Sequence, residues 1–328
     1  MQSINRRHTL RALGAAAATL SLSPWALAQQ AGIPATVKLV VPFPAGGAVD
    51  VVARKMAEAM AKHMGNTFIV ENKPGASGAI AARAVAMAQA DGSTLLYAHS
   101  GLVTAQAMGA KMDLLKDFRP VAKFTAGPHL LVVRSDSAYK TQQDLVDAIK
   151  ANPGKLNFGS GGPGSPTHLM YEMLEEAVPG IKATHIPFKG AIEAVTALVG
   201  GEIDFQFALP GAAMEFIKSG KLRPLSFTGV KRFALMPALP TTAEAGAPGF
   251  KAEPWGSIML PAKASDAVVN AFAEATYVAV NSAEVTQLIE RVGSIKSPRQ
   301  TPAEFADDIG KELVQQQAIV KRLGMVNN

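Results

Sequence analysis

The 328-residue chain is too long for one typical domain and comfortable for two, each able to bury its own core. With 48% apolar and 18% charged residues it reads as globular rather than disordered. The net charge of +6 comes without a basic run interleaved with aromatics, which argues against nucleic acid as a partner; the absence of cysteine excludes disulfides, thiolate metal sites and cysteine nucleophiles.

Residues 1–28 carry Arg6, Arg7 and Arg11, an apolar run from Ala12 to Leu22, and an Ala26-Leu-Ala28 exit. That is the pattern of a signal peptide, so the chain is expected to be exported to the periplasm and the leader removed. The Arg6-Arg7 pair points to the twin-arginine route, with general secretion as the alternative. Without the leader, three of the arginines and none of the acids are lost, and the charge falls to +3. No later stretch offers the roughly 18 uninterrupted apolar residues of a membrane span.

The segment Val37 to Asp50 reads as a short strand, a Pro/Gly turn and the opening of a helix that runs to Met64, with Gly65 at its C-terminal cap. A strand that feeds a helix through glycines leaves backbone N–H groups pointing outward, where the helix dipole favours an anion. Further strands are expected at Phe68 to Val70, Thr94 to Ala98, Phe118 to Ala122 and His129 to Val133, with a helix from Ala79 to Gln89. Thr141 and Asp144 form a capping-box variant opening a helix to Ala151. Leu156 to His168 repeats the first arrangement, with a longer glycine loop and a helix opened by Ser165 and Pro166. A strand at Ala183 to Ile186, a helix at Ala191 to Val199 and a strand at Ile203 to Phe207 complete a second α/β unit. Pro237, Pro240 and Pro248 mark a surface crossover, Trp255 to Leu260 returns as a strand, and three helical segments, from Ala264, Ala283 and Pro302, finish the chain. Alternating strands and helices make parallel sheets with helical crossovers the economical topology.

No His pair has a metal-ligand spacing, and no carboxylate cluster accompanies the histidines, so neither a metal nor a cofactor is expected. Ser165 and His168 form the one imaginable catalytic pair, the basis of an alternative reading as a secreted hydrolase; Gly-x-Ser-x-Gly is absent, and an N-cap explains Ser165 better. Two glycine loops at strand-to-helix junctions, one in each half, instead make an anion clamp. Asp50 is either an acid of that site or ordinary compensation of the helix dipole. Asp204 has no capping role and is either at a strand end facing the cleft or at one facing solvent. Phe43 and Phe188 are either cleft walls or core.

Pro42-Phe-Pro-Ala-Gly-Gly47 with Asp50, Glu71-Asn-x-Pro-Gly75, Asp91-Gly92, Gly159-Ser-x-Gly, Gly164-Ser165-x-x-His168-Leu169, Ile186-Pro-Phe-Lys-Gly190, Gly200-Gly-x-Ile-Asp204 and Glu244-Ala-Gly246 together resemble the substrate-binding proteins of tripartite tricarboxylate transporters, the Bug family. The resemblance covers the mature chain in the family's order. It implies a two-domain flytrap fold of the periplasmic-binding-protein class, each domain a mostly parallel sheet flanked by helices. Residues 29–129 with 251–300 form its first domain, and 130–250 with 301–328 its second. It implies a non-enzymatic, monomeric receptor that closes on a small carboxylate and hands it to membrane permease subunits, or, reused, signals to a sensor kinase. The expected ligand-binding set is Phe43, Ala45, Gly46, Gly47, Asp50, Ser77, Ser100, Gly161, Gly164, Ser165, Thr167, His168, Phe188 and Asp204. Val49 stands where the family usually has Thr or Ser, Phe188 where Tyr is common, and Phe205 to Pro210 departs from a more polar continuation. These departures point to a carboxylate with an apolar or aromatic body.

Overall fold

The computed structural model describes residues 32–326; the signal-peptide expectation falls on residues outside them. The chain begins with β1 (Thr36–Val41), α1 (Ala48–Met64), β2 (Thr67–Asn72), a 3-10 turn at Ala76–Gly78, α2 (Ala79–Ala86), β3 (Thr94–His99), α3 (Gly101–Ala107) and β4 (Phe118–Ala126). It then crosses to β5 (Leu130–Arg134), α4 (Gln142–Ala151), β6 (Asn157–Ser160), α5 (Pro166–Ala177), β7 (Thr184–Pro187), α6 (Ala191–Gly200), β8 (Phe205–Ala208), α7 (Pro210–Lys218) and β9 (Leu222–Phe227). A long crossover returns it to β10 (Trp255–Pro261), α8 (Asp266–Val280), α9 (Ala283–Arg291), β11 (Ile295–Lys296) and α10 (Pro302–Arg322).

Two sheets result, one ordered β11-β4-β10-β3-β1-β2 and the other β7-β6-β8-β5-β9. The expected parallel pairing holds for β2-β1-β3 and for β7-β6-β8. Both sheets are mixed, because the strands flanking the crossovers, β4, β10 and β11 in one and β5 and β9 in the other, pair antiparallel. The two-residue period of a strand divides its side chains between two cores. In β3, Leu95 and Tyr97 face α1, α8 and α9, whereas Leu96 and Ala98 face α2, α3 and α10. In β5, Leu131 and Val133 join the core of α4 and α5, and Leu130 and Val132 that of α6 and α7.

The C-terminal helix differs from the expectation that 301–328 belongs to the second domain. Phe305 and Ile309 are fully buried with Phe118, Met259 and Leu102, all of the first unit. Only the far end of α10 reaches the second unit, where Arg322 donates to the Glu172 carboxylate and carbonyl at 3.1 Å. The helix straddles the two units.

The two crossovers are laced together. Gly127 N–H donates to Pro254 O at 2.6 Å, Thr228 N–H to His129 O at 2.9 Å, and the Thr228 hydroxyl to Ala252 O at 2.7 Å. Beside them the N-terminus of α7 meets the end of α9 so closely that a Cβ on Gly293 would lie 2.6 Å from Gly211 N. Backbone hydrogen bonds, together with the Thr228 hydroxyl, join the crossovers here, as suits a hinge.

Candidate functional site

Parallel strands present ligands at their C-terminal ends, and the loops after β1, β3 and β6 lie there. After β1, Asp50 is only 2% exposed, and both its oxygens are engaged. Oδ2 accepts from Gly46 N–H and Arg54 Nε, each at 2.9 Å, and Oδ1 from Asn72 Nδ2 at 2.8 Å. The bond from Arg54, aided by Gly46 and Asn72, holds the carboxyl down to about 2 against the opposing effect of burial. Asp50 ties the glycine turn to the first turn of α1 and to β2. Gly46 spends its N–H on this tie, while the amides of Gly47, Ala48 and Val49 have no acceptor among the described residues. Ala45, Gly46 and Gly47 are exposed, and Phe43 is half-buried against the first core.

The second loop is spent on itself. Gly161 N–H donates to Thr167 Oγ1, Gly162 N–H to Ser160 Oγ and Gly164 N–H to His168 Nδ1, each at 3.0 Å. Ser165 N–H donates to Gly162 O. Among the described residues the amides of Gly161 to Ser165 all find acceptors within the loop and helix, so they point inward, with buried Thr167 and His168 fixing two of them. Gly161 packs under the α6 N-terminus, where a Cβ would lie 3.2 Å from Ala191 N, and Gly162, with φ +106°, lies beside Phe188 O. His168 stacks on His185 with centroids 4.1 Å apart and planes at 9°, and burial, then His185, pushes its imidazole down to about 4.

Ser165 caps α5, accepting from His168 N–H at 3.3 Å, and the imidazole Nδ1 is occupied by Gly164. The hydrolase pair is thus not assembled. Ser165→Ala is expected to cost about 1 kcal/mol in a urea melt, the price of a cap; a loss above about 3 kcal/mol would show a larger role. Asp204 is a second correction. Its carboxylate accepts from Asn157 N–H at 2.7 Å, at the start of β6 and therefore at the end of the sheet away from the second loop. Phe205 and Phe207 are fully buried sheet core, so they say nothing about pocket polarity.

Sequence reasoning missed His99, which ends β3 directly before Ser100. Gly101 N–H donates to its Nδ1 at 3.1 Å, which places the ring proton on Nε2, and that atom is buried without a partner. Its ring lies 4.8 Å from that of Phe43. Over it runs a turn in which Gly75, Ala76, Ser77 and Gly78 all have positive φ, a conformation that costs Ala76 and Ser77 roughly 1–2 kcal/mol each. Strain of this kind collects at functional sites. The signal available was position alone, a polar residue at the C-terminal end of a buried parallel strand. Ser100, 8% exposed, faces α5 across a cavity that Pro166 also lines. Among the described residues no group of three or more His, Asp or Glu could hold a metal, and no helix is long and apolar enough to cross a membrane.

Two hinged α/β units with loops gathered at their strand ends define a solute-binding protein of the two-lobed type. Residues 52–325 match the family described as "Tripartite tricarboxylate transporter family receptor", and the chain belongs to that family. Its members are solute receptors and not enzymes. Among its relatives, Protein BugT of Bordetella pertussis is 32% identical over 280 residues, 83% of this chain and 86% of that protein. A TctC solute-binding protein from Polaromonas superposes with a TM-score of 0.81 at 28% identity, covering 88% of this chain and 98% of that one. MatC from Rhodopseudomonas palustris, solved with bound malate, superposes at 0.69 with 30% identity, covering 87% and 98%.

Proposed function

We propose that the chain is a periplasmic receptor that captures a small carboxylate between its two units and passes it to permease subunits of a tripartite tricarboxylate-type transporter. The observation that carries this reading is the start of α1, where three amides without acceptors sit on a turn locked by Asp50, an anion-receptive helix end that needs no Arg clamp. The malate held by MatC supports a carboxylate as the class. We take Phe43, Ala45, Gly47, Ser77 and Ser100 as contacts from the first unit and the Gly161–Ser165 loop with Phe188 as the facing wall; Gly46, Asp50, Thr167 and His168 position these loops. Residues 29–129 and 251–300 then form one domain and 130–250 the other, with α10 across both. Phe43, Val49 and Phe188 favour an apolar or aromatic body on the ligand.

Closure on the ligand selects one hinge state. In a thermal-shift screen of carboxylates, amino acids and phosphates, a carboxylate at ~100 times its Kd should add about 2.7 kcal/mol of stability. Shifts from phosphates or amino acids alone would overturn the proposal, and equal affinity for citrate and an aromatic acid would remove the apolar-body element.

A further inference from the structure

The turn between β2 and α2 holds strain directly above a buried donor. Gly75, Ala76, Ser77 and Gly78 follow one another at φ +122°, +48°, +52° and +94°. Glycine adopts such angles freely, whereas the left-handed region disfavours Ala76 and Ser77 by a factor of roughly 5 to 30 each. Little holds them there. Gly78 N–H donates to Gly75 O at 2.9 Å and Ala79 N–H to Ala76 O, both bonds of the turn with itself. Gly75, Ala76 and Ser77 are exposed, and no hydrogen bond among the described residues ties Ala76 or Ser77 to another element.

The donor is His99, at the end of β3. Its Nδ1 accepts from Gly101 N–H, which leaves the proton on Nε2, and Nε2 is buried with no partner. Gly78 forms its roof: a Cβ there would lie 2.9 Å from Nε2 and 2.9 Å from Leu102 Cδ2. The Phe43 ring lies 4.8 Å from the imidazole, and Phe43 leads into the glycine turn before α1. Burial pushes the imidazole down to about 4, so at neutral pH it offers an N–H and no charge. An unpaired buried donor and a strained backbone are both unfavourable. One movement removes both: the turn lifts about its terminal glycines, which absorb the change in φ and ψ, and an acceptor takes the place of Gly78.

We infer that the Gly75–Gly78 turn is a movable cover and that His99 beneath it determines ligand specificity, its Nε2–H donating to an uncharged oxygen of a hydroxy or keto acid. The inference rests on the receptor reading above and deepens it. The Gly47 to Val49 amides take the carboxylate. His99 takes the neighbouring oxygen, because a neutral donor among apolar side chains does not offset the desolvation of a second charge. A ligand without that oxygen leaves the donor unpaired and is rejected.

Exchange of the His99 Nε2–H with solvent, followed by NMR on the full chain labelled with 15N-histidine, measures how often the cover lifts; the hinge proton on His129 Nδ1 is the reference. Exchange at His99 should slow about fivefold in Ala76→Gly, which relieves the strain that lifts the cover, and stay unchanged at His129. An equal or faster rate at His99 in that variant would overturn the cover. Calorimetry with two pairs that differ by one hydroxyl, mandelate against phenylacetate and malate against succinate, tests the donor. The hydroxy acid of at least one pair should bind about fivefold more tightly than its partner or better. His99→Phe should abolish that preference, and His99→Asn, which keeps an acceptor for Gly101 N–H and a donor, should retain part of it. Ala76→Gly should weaken the same hydroxy acid about fivefold with no loss in urea midpoint, a split that a merely structural turn would not show. No preference in either pair, or one that survives His99→Phe, would overturn the role of His99, and so would binding of other carboxylates but none of these four. If no carboxylate raises the melting temperature, the receptor reading fails and the ligand role of His99 with it, while the exchange rates still decide the cover.

Discussion

Asp50→Ala is expected to weaken ligand binding at least tenfold and to lower stability by roughly 2–3 kcal/mol, a range set by leaving buried polar groups without partners. The two losses have different origins. The stability term comes from Gly46 N–H and Asn72 Nδ2, which lose a buried acceptor, whereas the half-exposed Arg54 side chain returns its charge to water at little cost. Asn72 keeps its second bond to Phe43 O at 3.0 Å, which limits the collapse. The affinity term comes from the turn before α1, which no longer holds the free amides in one geometry and must be ordered by the ligand. Asp50→Asn should retain the shape and part of the Asn72 contact, and fall between wild type and Asp50→Ala in both urea midpoint and calorimetric Kd. Stability lost with Kd unchanged would show that this turn lies outside the site. Because the Asp50 carboxyl sits at about 2 in the folded chain and near 3.8 unfolded, its contribution is complete above pH 3.8 and is lost as pH falls toward 2, amounting to about 2 kcal/mol.

The fold was legible wherever local chemistry marked an element boundary. Thr141 and Asp144 make both halves of a capping box, Gly65 closes α1 in the left-handed region, and Ser165 caps α5 with Pro166 at its first position. The elements that escaped had weaker marks. α7 opens on Pro210 but its N-cap Leu209 offers no side-chain cap, α3 is seven residues long, and β9 carries Pro224 in its middle. The site was legible to the level of its loops and not of its atoms. A glycine loop after a strand looks the same whether its amides face outward, as before α1, or are claimed by Thr167 and His168 from the following helix. Asp204 stands at the N-terminal end of β8, away from the C-terminal ends that face the ligand, so its position in the expected strand already argued against the cleft. Asn72 lies 22 residues from Asp50, and His99 meets Phe43 only across the sheet, so their assembly alone reveals these contacts.

Acidification should erode stability through buried imidazoles before the exposed carboxylates titrate. His129 and His168, 4% and 6% exposed, are both pushed down to about 4 by burial, against about 6.5 in the unfolded chain. Between those values the unfolded chain binds more protons than the folded one, so stability is full above pH 6.5 and falls as pH drops toward 4. Each imidazole contributes at most roughly 3 kcal/mol to that fall. For His129 the loss lands on the hinge, where Nδ1 donates to Gly127 O at 2.8 Å; for His168 it lands on the second loop, because a protonated Nδ1 can no longer accept from Gly164 N–H. Glu312 works in the opposite direction. Raised to about 7 when folded, it holds its proton where the unfolded chain has lost one, so it stabilises the fold as pH falls from 7 to 4.5. Wild type should therefore lose stability gently from pH 7 to 4.5, and Glu312→Gln, stripped of the opposing group, steeply. His168→Gln should flatten the fall in either background. If the melting temperature of Glu312→Gln stayed level across this range, the imidazoles would be open to protons in the folded state, and burial would not be what governs them.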